Sequence, residues 1–519
     1  MLRPGRRRSF ILFARLYIRA FLKSSLCYNL SVGEEEINLA TVKGRAVRGI
    51  VTLTGRTLIL NLISFVSQGL LWAFLEPSQF GVFLIVSATV NFLSYFADIG
   101  LGAALIQKKE APKEEDYKTV FTVQEALVLV IFAIILFLGP VLTRTHSLTN
   151  EGRMLFYALG FSFFLASLKN IPSVMLERRL EFGKFIIPQI LENVVYSVAV
   201  VIFAWKGFGI SSFTYSVLIR GVVGVVAIYI LNPWKPGIAF SRSSFRNLIK
   251  FGIPYQLNNF LATIKDDGLI IVLGKIIGSA GLGILGTAQK LAQYPLRFFL
   301  DNVTKVTFPA FARMQDDKVE LERTLTRSIF FICALTFPSL IGLVAVFPFL
   351  TTLIPRYAKW SPAYLPLIFL TVNSFWAAAS TQLTNFLTSV GKIKTTFKLM
   401  VMWTVLSWAL VPILAVKHGI NGAGFAYLLV GTSSIVVFYL VKKFINWSIY
   451  SAVGVPLISS LIMGLITIGL RSALPLNQFR SFIIVIAAGI FSYSALLYLL
   501  VGKGLFEDVK KTWQIFLGK

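Results

Sequence analysis

The stretch from Gln79 to Phe121 reads QFGVFLIVSATVNFLSYFADIGLGAALIQKKEAPKEEDYKTVF, and it decides the class of fold. Its apolar part, residues 80–106, is longer than the helix of about 20 residues that is needed to cross a bilayer. This run contains one acid, Asp98, and it is followed by a charged loop, residues 108–118. A second apolar run begins at Thr119. The stretch therefore predicts two membrane-spanning helices joined by a short charged connection.

The whole chain has the composition of an integral membrane protein. Hydrophobic residues make up 56% and charged residues 14%, and the mean hydropathy is +0.75, whereas about a quarter of residues are charged in soluble domains. The net charge of +27 comes from basic residues concentrated in short loops, where membrane topology accounts for them. We therefore expect no nucleic-acid partner. Cys27 and Cys333 fall in a tail and in a span, which predicts no disulfide.

Apolar segments recur along the chain, and the connections between them are too short to form soluble domains. Fourteen candidate spans cover approximately residues 50–75, 80–107, 119–142, 153–176, 183–205, 210–231, 247–274, 280–306, 326–350, 361–389, 395–416, 419–441, 451–471 and 480–502. Proline and glycine inside several of them are tolerated where neighbouring helices or water satisfy the freed backbone groups. The sequence thus predicts an all-α membrane protein of about 14 transmembrane helices.

Basic residues are unequally divided between the two sets of loops. One set carries most of them, from Lys108 and Lys109 through Arg178 and Arg179 to Lys442 and Lys443. The positive-inside rule places this set and both termini in the cytosol, and an even number of spans requires the same. Residues 1–45 form a basic extension, which we interpret either as an amphipathic helix on anionic membrane lipid or as an ordinary extension.

The most conspicuous linker, Asn232-Pro233-Trp234-Lys235-Pro236-Gly237, separates the sixth and seventh spans. Six spans on each side would make two parallel repeats about an axis along the membrane normal. The predicted organisation is an N-lobe at 46–232 with helices 1–6, a cytosolic linker at 233–246, a C-lobe at 247–444 with helices 7–12, and two extra helices with a cytosolic tail at 445–519.

Ionisable side chains inside a span cost about 3 kcal/mol or more, so each one suggests a function. Arg220 lies in the middle of the sixth span, in VLIRGVVG. This position favours a water-filled cavity or an anion site, with a buried ion pair to Glu192 as the alternative. Arg56 lies nearer a membrane surface, where its side chain could snorkel, and it is kept as a candidate substrate-binding residue.

The eighth span carries a polar stripe. Lys290, Gln293, Tyr294, Arg297 and Asp301 follow spacings of three, four and seven, which place them on one helical face. Lys290 has no acid at a helical spacing in its own span and is a candidate ligand for an anion. Arg297 either binds the same anion as Lys290 or forms an ion pair with Asp301.

Four acids are candidates for coupling an ion or for structural pairing. In the seventh span Asp266 and Asp267 follow Lys265, and this group could hold a cation or proton or form a structural pair. Glu192 is the alternative partner of Arg220. Asp98, together with Glu125, is expected to pack helices or to pair with Lys108 or Lys118 rather than to bind a transported ligand.

No motif of the sequence indicates catalysis. His146 and His418 fall in predicted outer loops, and we find neither paired metal ligands nor a nucleophile motif nor a phosphate-cradling glycine loop. We therefore expect no metal, no cofactor and no enzymatic activity.

Six short motifs occur in a characteristic order, and they carry a resemblance. They are Phe80-Gly81, Asp98-Ile99-Gly100-Leu101-Gly102, Glu177-Arg178-Arg179-Leu180, Asn232-Pro233-Trp234, Lys250-Phe251-Gly252-Ile253-Pro254 and Phe308-Pro309-Ala310-Phe311. In these motifs the chain resembles the polysaccharide transporter family, which includes O-antigen, teichuronic-acid and exopolysaccharide flippases. This family belongs to the multidrug/oligosaccharidyl-lipid/polysaccharide superfamily.

The resemblance implies a fold like that of the multidrug antiporters and a non-enzymatic function in the cell membrane. Members of the family move polyprenyl-diphosphate-linked oligosaccharides from the inner to the outer leaflet by alternating access, through a cationic central cavity and without nucleotide hydrolysis. Arg220, Lys290, Arg297 and Arg56 would line that cavity, and other polysaccharide-assembly proteins would be partners. Two alternatives stay open: a multidrug or cation antiporter of the same fold, and a membrane glycan polymerase or ligase.

Overall fold

The structure is a computed structural model that describes residue 57 and residues 59–97, 99–108 and 110–502, without the side chains of residues 247 and 251–259. Throughout this part of the chain every regular element is helical. Eleven helical stretches in it are long and apolar enough to cross a membrane, and Ile59–Phe74 is a shorter apolar helix. The predicted all-α, multi-pass membrane fold is confirmed.

The chain divides into two compact units, Met1–Ala280 and Gly281–Lys519, called unit 1 and unit 2 below. The helices of unit 1 are α1 (Ile59–Phe74), α2 (Pro77–Ser94), α3 (Leu101–Gln107), α4 (Glu114–Thr145), α5 (Asn150–Leu168), α6 (Asn170–Arg178), α7 (Phe182–Trp205), α8 (Ser211–Leu231) and α9 (Arg242–Thr263). A π-helical turn, Ile264–Gly268, connects α9 to α10 (Leu269–Arg313), which continues into unit 2. Unit 2 adds α11 (Lys318–Leu353), a 3-10 helix (Pro355–Ala363), α12 (Tyr364–Ser389), α13 (Ile393–Thr432), α14 (Ile435–Phe444), α15 (Val455–Ala473) and α16 (Phe479–Val501).

Two long helices are each broken once by a glycine. The 45 residues of α10 would extend about 68 Å as one straight helix, roughly twice the thickness of the hydrocarbon core. At Gly278 its backbone turns to φ 69° and ψ 173°, and in α13 Gly419 adopts φ 58° and ψ −140°. Only glycine adopts such angles without strain. Each break separates two spans: the span before Gly278 also includes the π-helical turn and the end of α9, and the span after Gly419 continues into α14. With α1 the spans number fourteen in the described residues, as predicted.

Unit 1 is built around α5, which packs along both α4 and α8, while α7 pairs with α8. The short helices α3 and α6 pack against each other, and α9 lies against α3 and α4. A small apolar core, including Leu105, Val120 and Ile171, joins these elements. This packing holds α4 through α8 around a common space, which contains the candidate site.

Arg178, at the end of α6, binds the loop that follows α3. Its guanidinium donates hydrogen bonds to the carbonyl oxygens of Leu105 at 2.8 Å, Ile106 at 3.2 Å, Lys108 at 2.8 Å and Glu110 at 2.8 Å. The last carbonyls of a helix have no partner within the helix, so Arg178 closes the end of α3. The Glu-Arg-Arg-Leu motif therefore has a structural role at this position.

Asp116 joins the start of α4 to the start of α9. Its side chain is 4% exposed, and it accepts hydrogen bonds from Lys108 Nζ at 2.6 Å, from the backbone N–H of Lys113 at 2.8 Å and from Ser244 Oγ at 2.6 Å. A buried carboxylate with several donors is well compensated. The contact fixes the first turn of α9 on unit 1.

Unit 2 has an apolar core centred on α11, with Ile329, Phe337, Phe386 and Trp447 among its buried residues. The last two helices, α15 and α16, pack on α11 and belong to the same unit. The predicted lobe boundaries, with two helices added after two six-helix lobes, stay a prediction.

Gln382 in α12 is a completely buried polar residue of unit 2, with 0% exposure. Its amide nitrogen donates to Thr307 Oγ1 at 2.7 Å and to Ser328 Oγ at 3.2 Å, and its oxygen accepts from Thr304 Oγ1 at 3.2 Å. Both ends of the amide are thus hydrogen bonded, as is usual for a buried polar group. The bonds join α10, α11 and α12.

Candidate functional site

A cavity of about 440 Å³ lies inside unit 1, among α4, α5, α6, α7 and α8. Its volume is within the range of about 300–1,000 Å³ that is typical of small-ligand sites. The residues that line it are Gln124, Phe163, Ala166, Ser167, Lys169, Asn170, Ser173, Phe185, Pro188, Gln189, Glu192, Asn193, Arg220 and Ile228. We call this space the unit-1 cavity.

The first cation of the cavity, Lys169, sits at the junction of α5 and α6. Pro172, in the first turn of α6, has no N–H, so the carbonyl of Leu168 four residues earlier loses its helical donor. The hydroxyl of Tyr229 in α8 donates to that carbonyl instead, at 3.0 Å. The proline thus interrupts the helix where Lys169 lies, and α8 holds the interruption in place.

Three charged side chains form a cluster in the cavity. Lys169 Nζ donates to Glu192 Oε1 at 2.6 Å, and Arg220 Nε lies 3.7 Å from Glu192 Oε2. The Glu192 and Lys169 side chains are 9% and 16% exposed, while that of Arg220 is 42% exposed and lies 5.7 Å from the centre of the Tyr196 ring. One carboxylate serves two cations, so this cluster has a net charge of about +1 by formal count.

The cluster lies near the middle of the membrane-spanning helices. Arg220 is nine residues after Ser211 and eleven before Leu231, the ends of α8. At 1.5 Å per residue it is about 13–17 Å from either end. Glu192 holds a similar place in α7, between Phe182 and Trp205. Charges at such depth are costly unless they are paired or hydrated.

Gly224 makes room for the carboxylate of Glu192. A Cβ atom built at position 224 would overlap the Glu192 side chain, with its Cγ only 2.8 Å away. Gly224 lies one helical turn after Arg220 on α8. Any larger residue at position 224 would therefore displace Glu192 from its place between Lys169 and Arg220.

Uncharged polar groups surround the cluster. Asn170 Nδ2 donates to Gln124 Oε1 at 2.5 Å, and Asn193 Nδ2 donates to the backbone carbonyl of Gln189 at 2.8 Å. Ser167 Oγ donates to Glu125 Oε2 at 2.9 Å, so Glu125 supports the wall of the cavity from behind. The other oxygen of Glu125 is buried and has no hydrogen-bond partner among the described residues.

The structure brings together two of the predicted site residues. The Arg220–Glu192 ion pair, predicted as an alternative to a cavity, is present, and both residues also line the unit-1 cavity. Arg220 therefore lines a cavity and forms an ion pair at the same time, and its role in binding an anion stays a prediction. Arg56 and Asp98 lie outside the described residues.

The other predicted site residues lie elsewhere. Arg297 lies 3.7 Å from Asp301, in an exposed pair one helical turn apart in α10. Lys290 is partly buried in α10, within unit 2. Asp266 accepts a hydrogen bond from Lys265 at 2.8 Å in the π-helical turn, and Asp267 in the same turn is hydrogen bonded by Asn91 of α2.

Two roles were predicted for Glu125, helix packing or pairing with Lys108 or Lys118. The structure shows the first, because Glu125 in α4 accepts a hydrogen bond from Ser167 in α5. Lys108 pairs with Asp116 at 2.6 Å, and Lys118 pairs with Glu114 at 2.8 Å. The reason is distance along the helix, because the acids in the first turn of α4 lie nearer the loop than Glu125 does.

Lys169 was not among the predicted site residues, and the polar face of α7 was passed over. Gln189, Glu192 and Asn193 follow an i, i+3, i+4 spacing in an apolar helix, which indicates one polar face. That signal could have identified the site. Among the residues that the structure describes, no group of three His, Cys, Asp or Glu side chains could hold a metal ion.

The fold and the cavity define a polytopic, all-helical membrane protein. The chain covers 98% of a solved structure of the lipid II flippase MurJ in an inward closed conformation, with a TM-score of 0.72 at 16% identity over 87% of this chain. An inward-facing multidrug resistance MATE family transporter of the MOP superfamily matches 76% of this chain and 97% of its own, with a TM-score of 0.57 at 16% identity. These similarities show that the fold is the one these two proteins share.

The family described as "polysaccharide biosynthesis protein" matches residues 70–364, which is more than half of the sequence, and the chain belongs to this family. The succinoglycan biosynthesis transport protein ExoT of Rhizobium meliloti (strain 1021) is 22% identical over 284 residues, 55% of this chain. The chain spans 57% of the length of ExoT. The family resemblance predicted from the six motifs is confirmed.

Proposed function

We propose that this protein carries polyprenyl-diphosphate-linked oligosaccharides from the inner to the outer leaflet of the cell membrane, for export of a cell-surface polysaccharide. The observation that carries the proposal is the unit-1 cavity, a polar space at mid-depth that holds Lys169 and Arg220. Membership of the polysaccharide biosynthesis family supports it. So does the similarity to ExoT, which is named as a transport protein.

The chemistry of the substrate explains why such a cavity is needed. The lipid tail of the substrate can stay in hydrocarbon, whereas the diphosphate and the sugars cannot enter it unaided. A cleft with cations at mid-depth lowers that barrier, because Lys169 and Arg220 compensate the phosphate charges. The protein acts here as a transporter rather than an enzyme, since the task needs no bond to be made or broken.

Orientation and driving force follow from the charges. The basic loops and both termini would face the cytosol, and an inside-negative potential favours outward movement of an anion by about 2.3 kcal/mol per charge per 100 mV. Lys290 and Arg297 would offer further positive charge in the second half of the chain, and Asp266 and Asp267 would couple an ion or serve as structural acids. The two predicted lobes, 46–232 and 247–444, would move by alternating access.

The test is the leaflet distribution of lipid-linked oligosaccharides in cells depleted of the protein, read with a membrane-impermeant sugar-binding probe. Complete units should accumulate on the cytosolic side, and wild-type protein should restore their export. Arg220→Gln should restore export poorly, whereas Arg144→Gln, which changes an exposed arginine outside the cavity, should restore it fully. An unchanged distribution after depletion would favour the antiporter alternative, and incomplete glycans would favour the polymerase or ligase.

A further inference from the structure

The charges of the unit-1 cavity account for only part of its lining. Lys169 and Arg220 are already compensated to a large extent by Glu192, at 2.6 and 3.7 Å. In an ordinary anion site the cations pair with the ligand, whereas here the carboxylate of Glu192 already lies between the two cations. The cavity therefore offers one net positive charge, and most of its other polar groups are neutral.

The neutral groups have unused hydrogen-bonding capacity. In the described residues Gln124 accepts through its oxygen but its Nε2 makes no hydrogen bond, and Asn170 and Asn193 donate but their Oδ1 atoms accept none. Within the described part of the chain the side chain of Gln189 makes no hydrogen bond, and its Oε1 is buried. The hydroxyl of Ser173 makes none to the described residues either. Donors and acceptors are thus both available on α4, α6 and α7.

This mixture restricts the class of ligand. A hydrocarbon tail would leave these groups unsatisfied, which costs free energy for every buried amide. A fully ionised phosphate accepts hydrogen bonds but donates none. It would therefore bind the donors of the cavity and repel Oδ1 of Asn170 and Asn193. A sugar carries hydroxyls that donate and accept at once, and it matches both kinds of group. Phe163 and Phe185 add two apolar ring surfaces to the same cavity.

We propose that the unit-1 cavity binds the sugar directly attached to the diphosphate, with Gln124, Asn170, Gln189 and Asn193 as its hydrogen-bonding residues. The proposal rests on the proposed function. Lys169 and Arg220 line the same cavity as the four carboxamides, so a diphosphate at the cations places its first sugar among them. Residues 189 and 193 lie on one face of α7, a helical turn apart. These carboxamides determine which first sugar is accepted.

Binding of defined probes to the purified full chain in lipid nanodiscs tests this inference. The probes are polyprenyl diphosphate and a panel of polyprenyl-diphosphate monosaccharides, with affinities measured by native mass spectrometry. Wild-type protein should bind at least one monosaccharide probe about fivefold or more tightly than the sugar-free diphosphate, as one or two additional hydrogen bonds would give. Gln189→Leu and Asn193→Leu should each reduce this preference while the sugar-free diphosphate binds as before.

The control and the contrary outcomes separate the two proposals. Asn150→Leu, an exposed change at the start of α5, should leave the preference intact. Retained binding of the sugar-free diphosphate shows that each variant is folded. If wild-type protein binds all probes equally and Arg220→Gln weakens them all, the sugar site is wrong and the transport proposal stands. If no probe binds, both proposals fail.

Discussion

Glu192 of α7 occupies space that exists only because residue 224 of α8 is a glycine. A Cβ at Gly224 would overlap the Glu192 carboxylate, and that carboxylate is the shared partner of Lys169 and Arg220. Helix packing in a membrane relies on small residues for close approach. Here the small residue admits a charged side chain rather than a neighbouring backbone.

We expect Gly224→Ala to disturb the cluster without changing any charge. The overlap requires Glu192 or α8 to move, at about 1–3 kcal/mol of stability, and transport should fall several-fold because Lys169 loses its fixed partner. Thermal unfolding in detergent and the leaflet assay measure the two effects. Gly342→Ala in α11 is the matched control, because a Cβ there meets nothing within 4 Å. Equal behaviour of the two variants would contradict the role of Gly224.

Glu192→Gln removes the counter-charge and nearly preserves the shape. Breaking a buried pair costs about 3–5 kcal/mol, and Lys169 and Glu192 are both largely buried, so we expect a loss of about 3 kcal/mol in the free energy of unfolding. The double variant Glu192→Gln with Lys169→Met should recover part of it, since one uncompensated charge is removed. Unfolding by heat or denaturant provides the measurement.

The control for that loss is a second ion pair, at the start of α7. Glu181 accepts from Lys184 at 2.7 Å, but the Lys184 side chain is 57% exposed. Glu181→Gln should therefore cost less than about 1 kcal/mol. A Glu192→Gln variant that is no less stable than Glu181→Gln would show that the cluster is hydrated and that its pairing contributes little.

The fold was largely predictable because spans are read from hydropathy over about 20 residues. The breaks within α10 and α13 were located as well, since the apolar runs on either side of Gly278 and Gly419 are each long enough to span. The site was predictable only in part. Arg220 and Glu192 stand out by their depth, whereas the approach of Lys169 depends on how α5 and α8 rotate in packing, and one sequence does not specify that rotation.

Local contacts near the loops also escaped prediction. Asp98 and Glu125 were expected either to pack helices or to pair with Lys108 or Lys118, whereas Lys108 donates to Asp116. The choice is set by the backbone N–H of Lys113 and the hydroxyl of Ser244, which converge on Asp116 as well. These contacts require α9 to pack against α4, although the contacting residues are more than a hundred positions apart in sequence. The local spacing of residues does not predict such a contact.

Arg178→Lys should destabilise unit 1 although it keeps the charge. The planar guanidinium donates to four carbonyl groups at 2.8–3.2 Å, and a compact ammonium on a flexible four-carbon stem cannot reproduce that geometry. We expect a loss of about 2–3 kcal/mol, from two or more hydrogen bonds to a charged donor. Arg144→Lys, at an exposed site, should have no effect on thermal unfolding. Equal midpoints of thermal unfolding for the two variants would show that the hydrogen bonds of Arg178 contribute little to stability.

In unit 2, Gln382 allows a comparison of two substitutions at one buried site. Gln382→Leu removes three hydrogen bonds, but the hydroxyls of Ser328 and Thr307 still donate to the carbonyls of Leu325 and Val303. The expected loss is therefore only about 1–2 kcal/mol. Gln382→Glu has nearly the same shape, yet an ionised carboxylate cannot donate to those hydroxyls. The hydrogen-bond partners of residue 382 in the described part of the chain are uncharged, so the loss should exceed that of the leucine variant.

Chemical unfolding measures the free energy of unfolding of each variant and so tests this comparison. The variants are Gln382→Leu, Gln382→Glu and the exposed control Gln293→Leu. We expect stability to fall in the order wild type, leucine variant, glutamate variant, with the control equal to wild type. A glutamate variant as stable as the leucine variant would mean that water reaches residue 382 or that the carboxyl takes up a proton, because either would remove the cost of the buried charge. The position has 0% exposure, so the structure predicts that the charge stays uncompensated and that the two variants differ.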